Sequence, residues 1–284
     1  MHSRFASLII VSSFLTVSNC DTKKDYFDDA ALNIICYSFA GCGKKQPTRV
    51  GMIGDSWTDL LLGFPAIDTL RIQLENKHGY QITGATLGGQ TLKAAFSQGL
   101  HYQVIDQAGA DVNTILLSLG GNDLQANLSE YANNFEATKS TRLREIKNDL
   151  KVMIQSGNAF KLSKYGGAPL KWIIHGYDYS NPYKSAVIPG ADEGCRTKFI
   201  SAGVSSENVE TYSVSILNAY NEMLRGITSE EPTFYYTDLR RSLGGPPIAK
   251  SELMLDCIHP NNLGFEIIGN NFSKLISPIT GVNP

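Results

Sequence analysis

Arg49-Val50-Gly51-Met52-Ile53-Gly54-Asp55-Ser56-Trp57-Thr58-Asp59 is a short apolar run that ends in Gly-Asp-Ser and passes into a helix-like segment. In an α/β chain this puts a serine hydroxyl at the carboxyl end of a strand, where open parallel sheets place their ligand crevice. Ser56 is therefore a candidate nucleophile. Taken alone the tripeptide reads better as a turn, since Gly, Asp and Ser are common turn residues. The rest of the chain has to decide between the two.

Working outward from this run, strand-like and helix-like segments alternate. Residues 114–119 (Thr-Ile-Leu-Leu-Ser-Leu) form the clearest buried strand, apolar on both faces. Residues 80–85, 171–175 and 233–237 supply three more strands beside 49–53. Between them the spacing predicts helices from Pro65 through Ile67, Leu70 and Leu74 to the stop at His78-Gly79, and over 91–98 and 102–107, divided by Gly99. Thr141 opens a long helix with Leu143, Ile146, Leu150, Met153 and Ile154 on one face. Further helices run through Val209–Met223 and over 261–276, and a Gly/Pro/Tyr-rich segment fills 176–203. This order predicts an α/β fold, a flavodoxin-like three-layer sandwich with a five-stranded parallel sheet and right-handed crossovers.

Composition narrows the function classes. A chain of 284 residues, 42% hydrophobic and 18% charged, has ample material for one globular core. Its 25 basic and 27 acidic residues leave a formal charge of −2 with no Lys/Arg cluster, which argues against a nucleic-acid partner. The five histidines, His2, His78, His101, His175 and His259, show no metal-ligand spacing, so neither a metal nor another cofactor is expected.

The N-terminus reads as an export signal. Arg4 precedes an apolar stretch over 5–15 that is too short to be a permanent membrane span. Residues 15–20, Leu-Thr-Val-Ser-Asn-Cys, resemble a bacterial lipoprotein box, with Asn19 departing from the usual small residue. The division this implies is a signal peptide over 1–19, a tether over 20–47 starting at a lipidated Cys20, and a domain over 48–284. The expected product is a monomer in the bacterial cell envelope, touching the membrane only through the anchor; ordinary cleavage and secretion is the alternative. Cys36, Cys42, Cys195 and Cys257 then form an even set in a disulfide-permissive compartment. Three connectivities are open. The one favoured pairs Cys36 with Cys42 locally and Cys195 with Cys257 between two late loops, against reduced, buried thiols.

Three further stretches bear on Ser56. Gly120-Gly121-Asn122-Asp123 follows the strongest strand, where glycines allow close backbone approach and Asn122 offers amide N–H donors to a developing oxyanion. Gly88-Gly89, between a strand and a helix, can present a backbone N–H. In Asp256-Cys257-Ile258-His259-Pro260, an Asp three residues before a His can accept the imidazole Nδ1–H, leaving Nε2 to take a serine proton. Each has a bland alternative: a strand-ending turn, a helix-entry glycine, a capping Asp beside a surface His. Their joint occurrence, in order, at the ends of successive elements favours chemistry.

Together these blocks, Gly54-Asp55-Ser56, Gly89, Gly120-x-Asn122-Asp123 and Asp256-x-x-His259-Pro260, resemble the SGNH, or GDSL-type, esterases and lipases over roughly residues 48 to 276. The resemblance implies Ser56 as nucleophile, His259 as general base and acid, Asp256 as its orienting carboxylate, and an oxyanion hole from the Ser56 and Gly89 N–H groups and the Asn122 amide. Gly84 stands where the family often has an Asn. The implied function is hydrolysis of carboxylic esters, with lipid, small-molecule and acylated-sugar esters all in range. Acyl transfer by the same acyl-enzyme and a non-catalytic binding lipoprotein are the alternatives. No Gly-x-Ser-x-Gly elbow is present, since Thr58 occupies its second glycine, so an ordinary α/β-hydrolase is disfavoured. Trp57 and Tyr177-Asp178-Tyr179 are candidate pocket walls; Asp123, His175 and the tyrosines are not assigned catalytic roles.

Overall fold

The computed structural model describes residues 49–60, 67–185 and 195–281. The signal, the tether, Cys20, Cys36, Cys42 and Pro65 lie outside them. Five strands form one sheet in the order β2-β1-β3-β4-β5, every pair parallel. This is the flavodoxin-like order that the alternation predicted.

In chain order, β1 (Val50–Gly54) leads to α1 (Leu70–His78) and β2 (Ile82–Thr86). Next come α2 (Leu92–Ser97), α3 (Leu100–Ala108) and β3 (Thr114–Ser118). Two short helices, α4 (Gly121–Gln125) and α5 (Leu128–Asn133), precede the 31-residue α6 (Phe135–Tyr165). β4 (Lys171–His175), α7 (Cys195–Ser201), α8 (Val209–Ile227), β5 (Phe234–Thr237) and α9 (Asn262–Thr280) follow among the described residues.

β1 and β3 are buried at every position, as strands covered on both faces must be. α1 packs on α9 to form one covering layer, while α2, α3 and α8 pack against α6 to form another. Helix α6 is seated by Gly157, where an added Cβ would lie 2.5 Å from Trp172 of β4.

The boundaries differ from expectation where local chemistry overrides periodicity. α1 begins at Leu70 because Trp57 and Thr58 hold the chain before it: Leu70 N–H donates to the Trp57 carbonyl and the Thr69 hydroxyl to the Thr58 carbonyl. Helix α6 starts at Phe135, before Thr141, because the Asn134 side chain caps it, accepting from Ala137 N–H at 3.2 Å. Helices α4, α5 and α7 were not anticipated. All three have seven residues or fewer, too short for a hydrophobic period to register. Gly79 (φ 65°) stops α1, and Gly99 (φ 66°) divides α2 from α3, both as expected.

Candidate active site

The ends of β1, β2, β3 and β4 deliver the site. Past Gly54, the chain keeps one more ladder bond, Asp55 N–H to the Ser118 carbonyl at 3.0 Å, and then turns tightly. Thr58 and Asp59 N–H both donate to the Asp55 carbonyl, and the Thr58 hydroxyl joins them at 2.8 Å. The turn folds back so closely that a Cβ on Gly54 would lie 2.1 Å from Thr58 Oγ1. Only glycine fits before this turn, which leaves Ser56 half-buried at its crest.

His259 meets Ser56 there. Its Nε2 is 2.7 Å from Ser56 Oγ, and its Nδ1 is 2.7 Å from Asp256 Oδ2. The other Asp256 oxygen accepts from the Ile258 and His259 backbone N–H groups at 2.8 and 2.7 Å. Burial pushes the Asp256 carboxyl up. The His259 hydrogen bond and charge, together with the two backbone donors, outweigh that and hold it below its ordinary value. Asp256 is thus an anion at neutral pH, which puts the proton of neutral His259 on Nδ1 and leaves Nε2 to accept from the serine hydroxyl.

The histidine loop is fixed from four directions. Met254 and Pro260 bridge its base, and Asn181 N–H donates to the Cys257 carbonyl at 2.9 Å. Trp57 Nε1–H donates to the Ile258 carbonyl at 3.1 Å, tying the serine turn directly to the loop. The fourth constraint is the Cys195–Cys257 disulfide, the favoured pairing of those two cysteines.

Asn122 lies on α4, entered through Gly120 at φ 101°, where a Cβ would lie 2.7 Å from the Tyr220 hydroxyl. One Asn122 Nδ2 hydrogen goes to the Gln90 carbonyl at 3.0 Å, leaving the second for a ligand. The neighbouring Asp123 carboxylate accepts from Leu92 and Lys93 N–H at the start of α2. The block after β3 therefore braces the block after β2. Gly89 sits in that braced turn, exposed and at φ 79°, where a Cβ would meet nothing within 4 Å.

Ser56 and Asn122 open onto a cavity of about 90 Å³ whose walls include Trp57, Tyr177, Leu124 and Ile216. Gly89 is not among its described walls. Trp57 is buried, edge-on to Tyr177 and Phe265 and stacked on His175, so it is both wall and brace. His175 is fully buried and donates through Nδ1–H to the Gly176 carbonyl; burial pushes its pKa down to about 4, so it packs as a neutral ring.

Sequence reasoning missed one cluster. The Asp55 carboxylate, buried beneath Ser56, accepts from Trp57 N–H, the Ser118 hydroxyl and the Tyr177 hydroxyl. Burial raises its pKa to about 6 against those donors and the charge of His259. Ser118 ends β3 and Tyr177 follows β4 by two residues. Their shared position at adjacent strand ends was the available signal.

The sequence matches no protein-family model, and no curated protein matches it. Solved structures do match. A protein from Parabacteroides merdae described as a GDSL-like lipase aligns with a TM-score of 0.52 at 13% identity, over 84% of this chain and 98% of that one. A lipase from a goat rumen metagenome aligns at 0.51 and 14%, over 79% and 95%. A protein from Bacteroides fragilis described as an acylhydrolase aligns at 0.51 and 15%, over 91% and 100%. The five-stranded parallel architecture of this chain is the one those hydrolases share.

Proposed function

We propose that this chain, on its SGNH-type hydrolase fold, is a serine hydrolase that cleaves carboxylic esters through an acyl-enzyme on Ser56. The observation that carries the reading is the continuous row Asp256–His259–Ser56, with both links at 2.7 Å. A surface histidine with a capping aspartate has no reason to end on a serine hydroxyl 203 residues away.

In the first half-reaction Ser56 Oγ bonds to the ester carbonyl carbon as its proton passes to His259 Nε2. The carbonyl oxygen gains the negative charge, which rests on the Asn122 amide and on the Ser56 and Gly89 N–H groups. Collapse breaks the carbon–oxygen bond to the alcohol, which departs with the proton from His259. Water then gives a proton to His259 and attacks the acyl carbon; the bond from that carbon to Ser56 Oγ breaks, Oγ takes the proton back from His259, and the acid is released. Asp256 stays an anion throughout and stabilises the transient imidazolium.

An organophosphonate probe should add one phosphonyl group per chain, at Ser56 by peptide mass mapping. Equal labelling of Ser56→Ala would overturn the assignment. Asn122→Ala should lower kcat by about 10²–10³-fold with little change in KM, because the donor acts on charge that develops only in the transition state. Steady-state kinetics on a p-nitrophenyl ester separates the two constants.

The proposed setting is outside the cytoplasm, on a lipid anchor at Cys20. The Cys195–Cys257 disulfide supports an oxidising compartment. Among the described residues no helix is long and apolar enough to cross a membrane.

A further inference from the structure

We infer that the cavity beside Ser56 holds the acyl group of the substrate and sets its length at about two to four carbons. This rests on the serine hydrolase reading and deepens it. The first argument is position. The leaving alcohol must stand where His259 Nε2 can protonate it, and the carbonyl oxygen must face Asn122. Ser56 and Asn122 line the cavity, whereas His259 is not among its described walls. The acyl substituent is the part of an ester left to occupy it.

The second argument is chemistry. Leu124, Phe199, Ile216 and Leu217 surround much of the space, with Trp57 and the Tyr177 ring beside them. Apart from the exposed Gln125, the polar side chains behind Ser56 and Asn122 are already engaged. Ser180 and Ser213 bond each other at 2.6 Å, and the Asp178 carboxylate accepts from the Tyr179, Arg241 and Leu243 backbone N–H groups. A sugar placed here would lose the hydration of its hydroxyls with few partners in return. An alkyl chain loses nothing by the same move.

The third argument is size. A dry protein cavity of about 150 Å³ accepts benzene, or about 25 Å³ for each of its carbons. By that measure a cavity of about 90 Å³ takes roughly three to four non-hydrogen atoms, about two acyl carbons where the carbonyl oxygen is also inside and about four where it stands outside against Asn122. Part of the wall comes from α7 and α8, where Phe199 and Leu217 are each only partly buried. They are the residues whose truncation should lengthen the pocket without opening the core.

The test is a p-nitrophenyl ester series from acetate to dodecanoate, read as kcat/KM for wild type, Leu217→Ala and Phe199→Ala. Alongside it, acetate to decanoate are titrated into Ser56→Ala by thermal shift, which reads the pocket without chemistry. Wild type should peak between two and four carbons and fall at least tenfold by eight. Leu217→Ala, lacking three wall carbons, should move the optimum up by about two to three carbons. Phosphonyl labelling of Ser56 with a flat or long-chain profile, or wall variants that leave the profile unchanged, would overturn the acyl pocket and spare the hydrolase. If neither turnover nor labelling occurs, both readings fall.

Discussion

Ser56→Ala is expected to lower kcat by about 10⁶-fold, His259→Ala by a similar factor, and the double variant by no more than either alone. The two act as one unit: without the base at 2.7 Å the hydroxyl is a weak nucleophile, and without the hydroxyl the base has no proton to take. Asp256→Asn should cost less, roughly 10⁴-fold, for a different reason. An amide at that position can turn its NH₂ toward Nδ1, which favours the proton on Nε2 and presents the serine with a donor where it needs an acceptor. The three rates, measured on one short-chain ester, distinguish catalysis by this row from hydrolysis by a contaminant. A contaminant would lose activity by the same factor, or not at all, in every variant.

Asp256→Asn also bears on stability, in a direction fixed by its depressed pKa. A carboxyl held below its unfolded value contributes stability above that value, and the contribution disappears as pH falls through the folded pKa. The row is therefore intact at neutral pH and is lost on the acid side.

Much of the fold was legible because its signals are local. The centres of β1, β3 and β4 are buried apolar runs, Gly79 caps the end of α1, and Gly99 lies between α2 and α3. Alternation predicted the parallel sheet, and the flavodoxin-like order was the natural choice for five such strands. Ser56, Asn122, Asp256 and His259 stood out because their short stretches, each of which reads alone as a turn or a cap, occur together and in order at the ends of successive elements. What stayed hidden depends on contacts made across the chain. The Asp55–Tyr177 bond spans 122 residues, and neither residue carries a local sign of the other. The link from Asn122 to Gln90 is of the same kind: it joins two motifs that had been read as separate oxyanion donors and makes one support the other. Gly89, identified through its motif, sits in an exposed turn and is not among the described walls of the cavity beside Ser56. Whether a glycine faces a pocket is a property of the assembled turn.

Removing the Cys195–Cys257 disulfide by the double variant Cys195→Ala/Cys257→Ala should lower stability by about 4 kcal/mol. That figure is the chain-entropy value for a closed loop with a sequence separation of 62. For a domain of this size, about 4 kcal/mol corresponds to a fall in Tm of about 8–16 °C. Calorimetry of wild type and the double variant, each with and without dithiothreitol, isolates the contribution. The variant's own response to reductant reports whatever Cys36 and Cys42 add. A fall of less than about 2 °C would mean that the unfolded chain gains little freedom when the bond is absent. Activity should suffer beyond this loss of stability, even well below Tm. Cys257 lies between Asp256 and Ile258, so the bond holds the loop that presents His259, and its partner Cys195 is a wall of the cavity. A loop that moves by as little as about 1 Å costs about 10²-fold in rate. The variant should therefore show a lowered kcat at temperatures where it remains fully folded. Trp57→Phe, which removes the indole N–H to the Ile258 carbonyl, tests the same loop from its other side. If both changes act by loosening His259, the disulfide variant and Trp57→Phe should be non-additive in kcat.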